Sequence, residues 1–124
     1  MACILLIDDD DAFRTMLRLT LTHFGHTVIE ARNGREGLDL FPHSYADLLI
    51  TDMVMPDKEG LEVLMELWRK MPPVKTIVMS GGGFGNAETY LQAAKLMGAA
   101  KVFKKPFSNE ALLAAVNEVM AAGK

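Results

Sequence analysis

A chain of 124 residues, 50% hydrophobic and 23% charged, has room for one domain around a single core. Its formal charge of −3 provides no basic face for nucleic acid. No apolar run reaches the roughly 20 residues that cross a bilayer, so a cytoplasmic domain is expected. The lone cysteine, Cys3, excludes an internal disulfide and is expected to be a small core residue.

In chain order, Ile4-Leu5-Leu6-Ile7 mark a strand over 3–7, followed directly by Asp8-Asp9. Asp10 or Asp11 reads as the N-cap and acidic first turn of a helix. Phe13, Met16, Leu17, Leu21 and Phe24 recur at helical spacing, and Gly25 provides the stop. A strand over 27–31 precedes a short helix over 34–41, closed by Pro42. The third strand, 47–51, runs into Asp52, and a helix over 59–70 ends at Met71-Pro72-Pro73. The fourth strand, 74–79, meets Ser80 and the glycine-rich Gly81-Gly82-Gly83-Phe84-Gly85. A helix over 87–97 ends at Gly98, and a fifth strand over 101–104 precedes Lys105-Pro106. Ser108 is a suitable N-cap for a last helix over 109–121, with Ala111, Leu112, Ala115, Val116 and Val119 as its apolar stripe.

Strands alternating with helices predict an α/β domain: a five-stranded parallel sheet, doubly wound, with right-handed crossovers and helices on both faces. In such sheets ligands bind beyond the carboxyl ends of the strands. Asp8, Asp9, Asp52, Ser80 and Lys105 all fall at those ends. Clustered carboxylates repel one another and are best tolerated around a hard divalent cation. Asp52 alone would read as a turn residue before Pro56; its company reverses that reading. The glycine run completes neither a G-x-G-x-x-G nor a Gly-Lys-Ser/Thr motif, so a nucleotide loop is not expected. His23, His26 and His43 lack ligand spacing and read as surface or packing residues. Trp68 and the methionines read as packing.

The residues Ile7-Asp8-Asp9-Asp10, Asp52-Met53-Val54-Met55-Pro56 with Gly60, Met79-Ser80-Gly81 and Lys105-Pro106-Phe107 resemble the receiver domain of two-component response regulators, the CheY-like fold. The resemblance covers nearly the whole chain and implies a flavodoxin-like strand order, 2-1-3-4-5. It implies that Asp52 accepts a phosphoryl group from a phosphohistidine. It further implies that Asp9, Asp52 and the Val54 carbonyl ligate Mg²⁺, with Asp8 acting through coordinated water. Lys105 and Ser80 would each contact a phosphoryl oxygen, aided by the backbone N–H groups of Met53 and Gly81. The Lys105-Pro106 bond is expected to be cis on the same ground. Strand alternation sends Lys104 and Lys105 to opposite faces, leaving Lys104 as a rim residue.

The chain departs from the family pattern in three places. The stretch after Ser80 is longer and glycine-rich, and phosphorylation is expected to order it by pulling Ser80 inward. Val102 occupies the place of the family's usual switch aromatic, with Phe103 on the opposite side of the strand. Output is then expected through the long loop and the 87–97 helix. Val54 and Gly82 carry no group able to orient an attacking water, so slow self-hydrolysis is expected.

These features imply a stand-alone receiver, residues 1–124, with no enzymatic activity beyond phosphotransfer to Asp52 and slow autodephosphorylation. Its expected partners are a histidine kinase or histidine-phosphotransfer protein, meeting the first helix at Phe13 and Met16, and a downstream protein target. Direct nucleic-acid or membrane contact is not expected. Two rivals stay open: a receiver cut from a longer, for example DNA-binding, regulator, and an aspartate-nucleophile phosphatase. Val54, where such phosphatases carry a second acid, argues against the latter.

Overall fold

The computed structural model describes residues 2–52, 65–66, 69, 74–80, 92, 94–96 and 98–122, of residues 42–44 the backbone alone. Five strands form one sheet: β1 (Cys3–Ile7), β2 (Thr27–Ala31), β3 (Leu48–Asp52), β4 (Lys75–Ser80) and β5 (Lys101–Lys104). Their order is β2-β1-β3-β4-β5, and every neighbouring pair is parallel. Complete helices are α1 (Asp11–His23), α2 (Gly34–Ser44) and α3 (Asn109–Ala122). Met65, Glu66 and Arg69 are helical within the expected 59–70 element, as are Gln92, Ala94, Lys95 and Leu96 within 87–97. The remainder of those two helices lies outside the described residues.

The sheet is apolar on both sides because each face is covered. Ile4 and Leu6 of β1, Leu48 and Ile50 of β3 and Ile77 and Met79 of β4 pack with Leu17 and Leu21 of α1 and Leu112, Val116 and Val119 of α3. Their alternating neighbours Leu5, Ile7, Leu49 and Val78 pack on the other side with Phe41 of α2 and with Ala94 and Ala99. Continuous aliphatic runs, rather than polar alternation, follow from this double coverage. Each fully buried Leu or Ile contributes roughly 1.5–3 kcal/mol relative to exposure. Gly37 lets α2 lie close to β1, since a Cβ there would collide with the Ile7 side chain.

Several boundaries differ from the sequence-based expectations. Pro42 does not close α2, which runs on to Ser44 and ends at Tyr45 in the left-handed region, φ 53°. A proline in the last turn removes a single N–H donor, which the helix tolerates. The third and fourth strands each reach one residue further, so Asp52 and Ser80 are their terminal residues, with Asp52 in register with Met79. Cys3 is half-buried at the first position of β1 rather than in the core. Phe24 is the C-cap of α1 and 59% exposed, so the apolar stripe stops at Leu21. Ala111 is exposed, but the rest of the predicted α3 stripe is buried. Ser108 caps that helix as expected, its Oγ accepting the Ala111 N–H at 3.0 Å.

Candidate metal and phosphoryl site

The turn leaving β1 is held by its own acidic side chains. Asp8 Oδ1 accepts the Asp10 N–H at 2.9 Å, and Asp10 Oδ1 caps α1 by accepting the Phe13 N–H at 3.1 Å. Arg14, only 8% exposed, reaches back under this turn. Its guanidinium donates to the Asp8 carbonyl at 2.7 Å, to Asp11 at 2.8 Å and to Glu30 of β2 at 3.1 Å. Planar guanidinium geometry suits a clamp on three acceptors from three segments.

Alternation then decides which side chains meet. Asp8, Asp52 and Lys105 continue the parity of Leu6, Ile50 and Phe103, so all three point to the α1 side of the sheet edge. Lys105 Nζ donates to Asp8 Oδ2 at 2.8 Å and to Asp52 Oδ2 at 3.0 Å. Asp8 is fully buried and Asp52 is 4% exposed. Burial pushes the Asp8 carboxyl above its ordinary pKa; the Lys105 and Asp10 hydrogen bonds offset this only in part. Burial alone would depress the Lys105 ammonium, but its hydrogen bond to Asp8 and the nearby Asp52 charge outweigh it and raise its pKa. Lys104 is exposed, as alternation predicts, and the Lys105-Pro106 bond is cis.

Asp9 completes the cluster from the solvent side. Asp8, Asp9 and Asp52 each offer a carboxylate oxygen, and these oxygens lie within 4.8 Å of one another. Hard oxygen donors, two buried and one exposed, fit Mg²⁺, which keeps several waters and seldom takes an all-protein cage. Val54, the expected carbonyl ligand, lies outside the described residues. So do Met53, Gly81, Gly82 and the rest of the glycine run.

Ser80 is fully buried, and its Oγ has no hydrogen-bond partner among the described residues. The terminal ladder position of β4, in register with Lys104, holds it inside. A buried, unpartnered hydroxyl at the sheet edge is costly unless a ligand uses it, because nothing replaces its lost hydration.

Two residues at this edge have roles that the sequence reading missed. Phe13, expected as a docking contact, is half-buried with its ring 4.1 Å from Lys105 Nζ. Met16 is 39% exposed and remains available on the surface of α1. Arg14 was not singled out, although it lies three and seven residues before Leu17 and Leu21. A charge at buried helical spacing was the available signal. Val102 packs on the α2 side and Phe103 on the α1 side, as alternation predicted.

Residues 4–117 match the family model described as the response regulator receiver domain. The chain is 32% identical over 117 residues to the chemotaxis protein CheY of Thermotoga maritima, covering 94% of this chain and 95% of that one. It is 29% identical over 119 residues to the transcriptional regulatory protein GlrR of Escherichia coli, covering 96% of this chain. Here the match spans only 26% of the relative's length. Among solved structures, a response regulator receiver domain protein from Clostridium thermocellum superposes with a TM-score of 0.89 at 29% identity, covering 98% of this chain and 96% of that one.

Proposed function

Because the chain belongs to the response regulator receiver domain family, we propose that it takes a phosphoryl group from a phosphohistidine onto Asp52 and changes its binding partner as a result. The observation that carries this reading is the meeting of Asp8, Asp52 and Lys105 at one sheet edge, with Asp9 beside them. An Asp52 carboxylate oxygen attacks phosphorus, forming a P–O bond as the P–N bond to imidazole breaks. The electron pair leaves with the imidazole nitrogen, which takes a proton from solvent. Lys105 exchanges a carboxylate contact for a phosphoryl oxygen, and the Ser80 hydroxyl, which lacks a partner among the described residues, donates to another. Mg²⁺, held by Asp9 and Asp52 with Asp8 alongside, would offset charge on the transferring oxygens. Positioning and charge then do most of what phosphoryl transfer requires.

The proposed partners are a histidine kinase or histidine-phosphotransfer protein and a protein target in the cytoplasm. Among the described residues, no helix is long and apolar enough to cross a membrane. The chain spans about a quarter of GlrR, 26%, so a receiver within a longer regulator is the second reading. Under either reading the unit is a phosphorylation-controlled binding module rather than a turnover enzyme, and its aspartyl phosphate hydrolyses slowly.

Incubation with acetyl phosphate and Mg²⁺ followed by intact-mass measurement tests the proposal. Wild type is expected to gain one phosphoryl group and Asp52→Asn none. An unmodified wild type, or equal gain in both proteins, would remove Asp52 from the role. Sustained hydrolysis of an aryl phosphate would instead favour a phosphatase.

A further inference from the structure

Among the described residues, Lys105 Nζ has three close neighbours, and two of them are carboxylates. The third is the face of the Phe13 ring, 4.1 Å from the ammonium. That ring is fixed from behind: Phe107 meets it edge-on, centroids 5.8 Å apart at 88°. Phe107 in turn packs against Phe103, 5.1 Å away at 42°. The Lys105 side chain is 15% exposed, so the ring acts on a largely desolvated charge, where cation–π attraction is strongest.

We propose that Phe13 is a positioning residue for Lys105: its ring face holds the ammonium at the mouth of the acidic pocket when the carboxylates turn to a metal ion. The proposal rests on the phosphoacceptor reading and deepens it. A divalent cation among Asp8, Asp9 and Asp52 repels the ammonium and competes for the same oxygens. Both ion pairs weaken, and a flexible lysine stem would then swing toward water. The ring carries no net charge and is not a metal ligand, so its attraction survives that exchange. It keeps Nζ close to Asp52, where a phosphoryl oxygen will arrive. A leucine or methionine at position 13 fills similar space but has no negative ring face to offer.

The test compares wild type with Phe13→Leu and Phe13→Tyr, using two readouts. The first is the upfield ring-current shift of the Lys105 ε-methylene protons, measured by NMR with and without saturating Mg²⁺. Wild type and Phe13→Tyr are expected to keep the shift in both states and Phe13→Leu to lose it. The second is the rate of phosphoryl uptake from saturating acetyl phosphate at saturating Mg²⁺. Phe13→Leu is expected to fall about threefold to tenfold, with the Mg²⁺ Kd changed by less than about twofold, and Phe13→Tyr to stay near wild type. Should Phe13→Leu lose its native amide spectrum, Phe13→Met takes its place. Equal rate losses in the tyrosine and aliphatic variants, or a wild-type shift that vanishes on adding Mg²⁺, would overturn the proposal. If wild type takes up no phosphoryl group, the proposed function fails, and the Lys105 shift alone then decides whether Phe13 holds the ammonium.

Discussion

The two ends of the sheet use charge in opposite ways. At the amino-terminal edge two lysines have local partners: Lys75 Nζ caps α3 through the Val119 carbonyl at 2.9 Å, and Lys101 Nζ meets Glu118 at 3.0 Å. Lys101 and Glu118 are 36% and 66% exposed, so water screens the pair. At the carboxyl-terminal edge, two buried carboxylates share one mostly buried ammonium, with Asp9 adding a further acid. One edge uses charge to fasten a helix. The other concentrates negative charge beyond what its lysine balances, a costly arrangement that makes physical sense where a ligand completes it.

The largest effect should come from deleting the shared ammonium. Lys105→Met is expected to lower metal-free stability by about 3–5 kcal/mol, because the fully buried Asp8 carboxylate then loses the ammonium hydrogen-bonded to it. Adding Mg²⁺ should restore part of the loss, and urea titrations with and without the ion measure both. Lys101→Met at the other edge should shift stability by no more than about 0.5 kcal/mol. Equal costs for the two substitutions would erase the contrast.

Arg14→Met comes next, with an expected loss of about 2 kcal/mol, since the Asp8 carbonyl and Glu30 lose a buried donor. It should also weaken Mg²⁺ binding by loosening the turn that carries Asp8 and Asp9. Calorimetric titration with the ion checks this. Ser80→Ala should have the opposite sign. Removing an unpartnered buried hydroxyl is expected to stabilise the unphosphorylated protein by about 1 kcal/mol while slowing phosphoryl uptake.

The smallest effect belongs to the amino-terminal edge. His26 Nδ1 accepts the Ala2 N–H at 3.1 Å, and burial lowers the pKa of the ring from its ordinary 6.5. A histidine whose folded pKa is depressed binds its proton more readily when unfolded. Its contribution is therefore complete above pH 6.5 and declines as pH falls through the folded value. Denaturation midpoints for wild type and His26→Gln between pH 7.5 and about 5 should converge at the acid end.

How much of this was legible in the sequence depended on the range of the physics involved. Strands β1, β2 and β5 were placed within their observed bounds because short β-branched or aliphatic runs between helical patterns are local signals. The cluster of Asp8, Asp9, Asp52 and Lys105 was legible through strand ends, since a parallel sheet brings all of them to one edge. Pro42 misled because the cost of one missing donor was judged without the packing of Phe41 against the sheet. Phe24 misled because helical spacing continued on paper one residue past His23, where α1 ends ahead of Gly25. Arg14 and Phe13 were mistaken or passed over for one shared reason. Asp11 apart, their partners lie on β2, in the turn after β1 and in the segment that follows β5, and no window along α1 contains those.

Lys105 and Asp8 stand 97 positions apart in the chain, and Lys105 and Asp52 stand 53 apart. The pocket therefore cannot assemble piecemeal from neighbouring segments; it exists only once the last strand has docked. A polypeptide still emerging from the ribosome, with its first four strands made and its fifth still in the exit tunnel, carries the aspartates but not the lysine that pairs with them. Under the proposed function, competence to accept a phosphoryl group would arrive only after the fifth strand and Lys105 have been made, whether or not further chain follows.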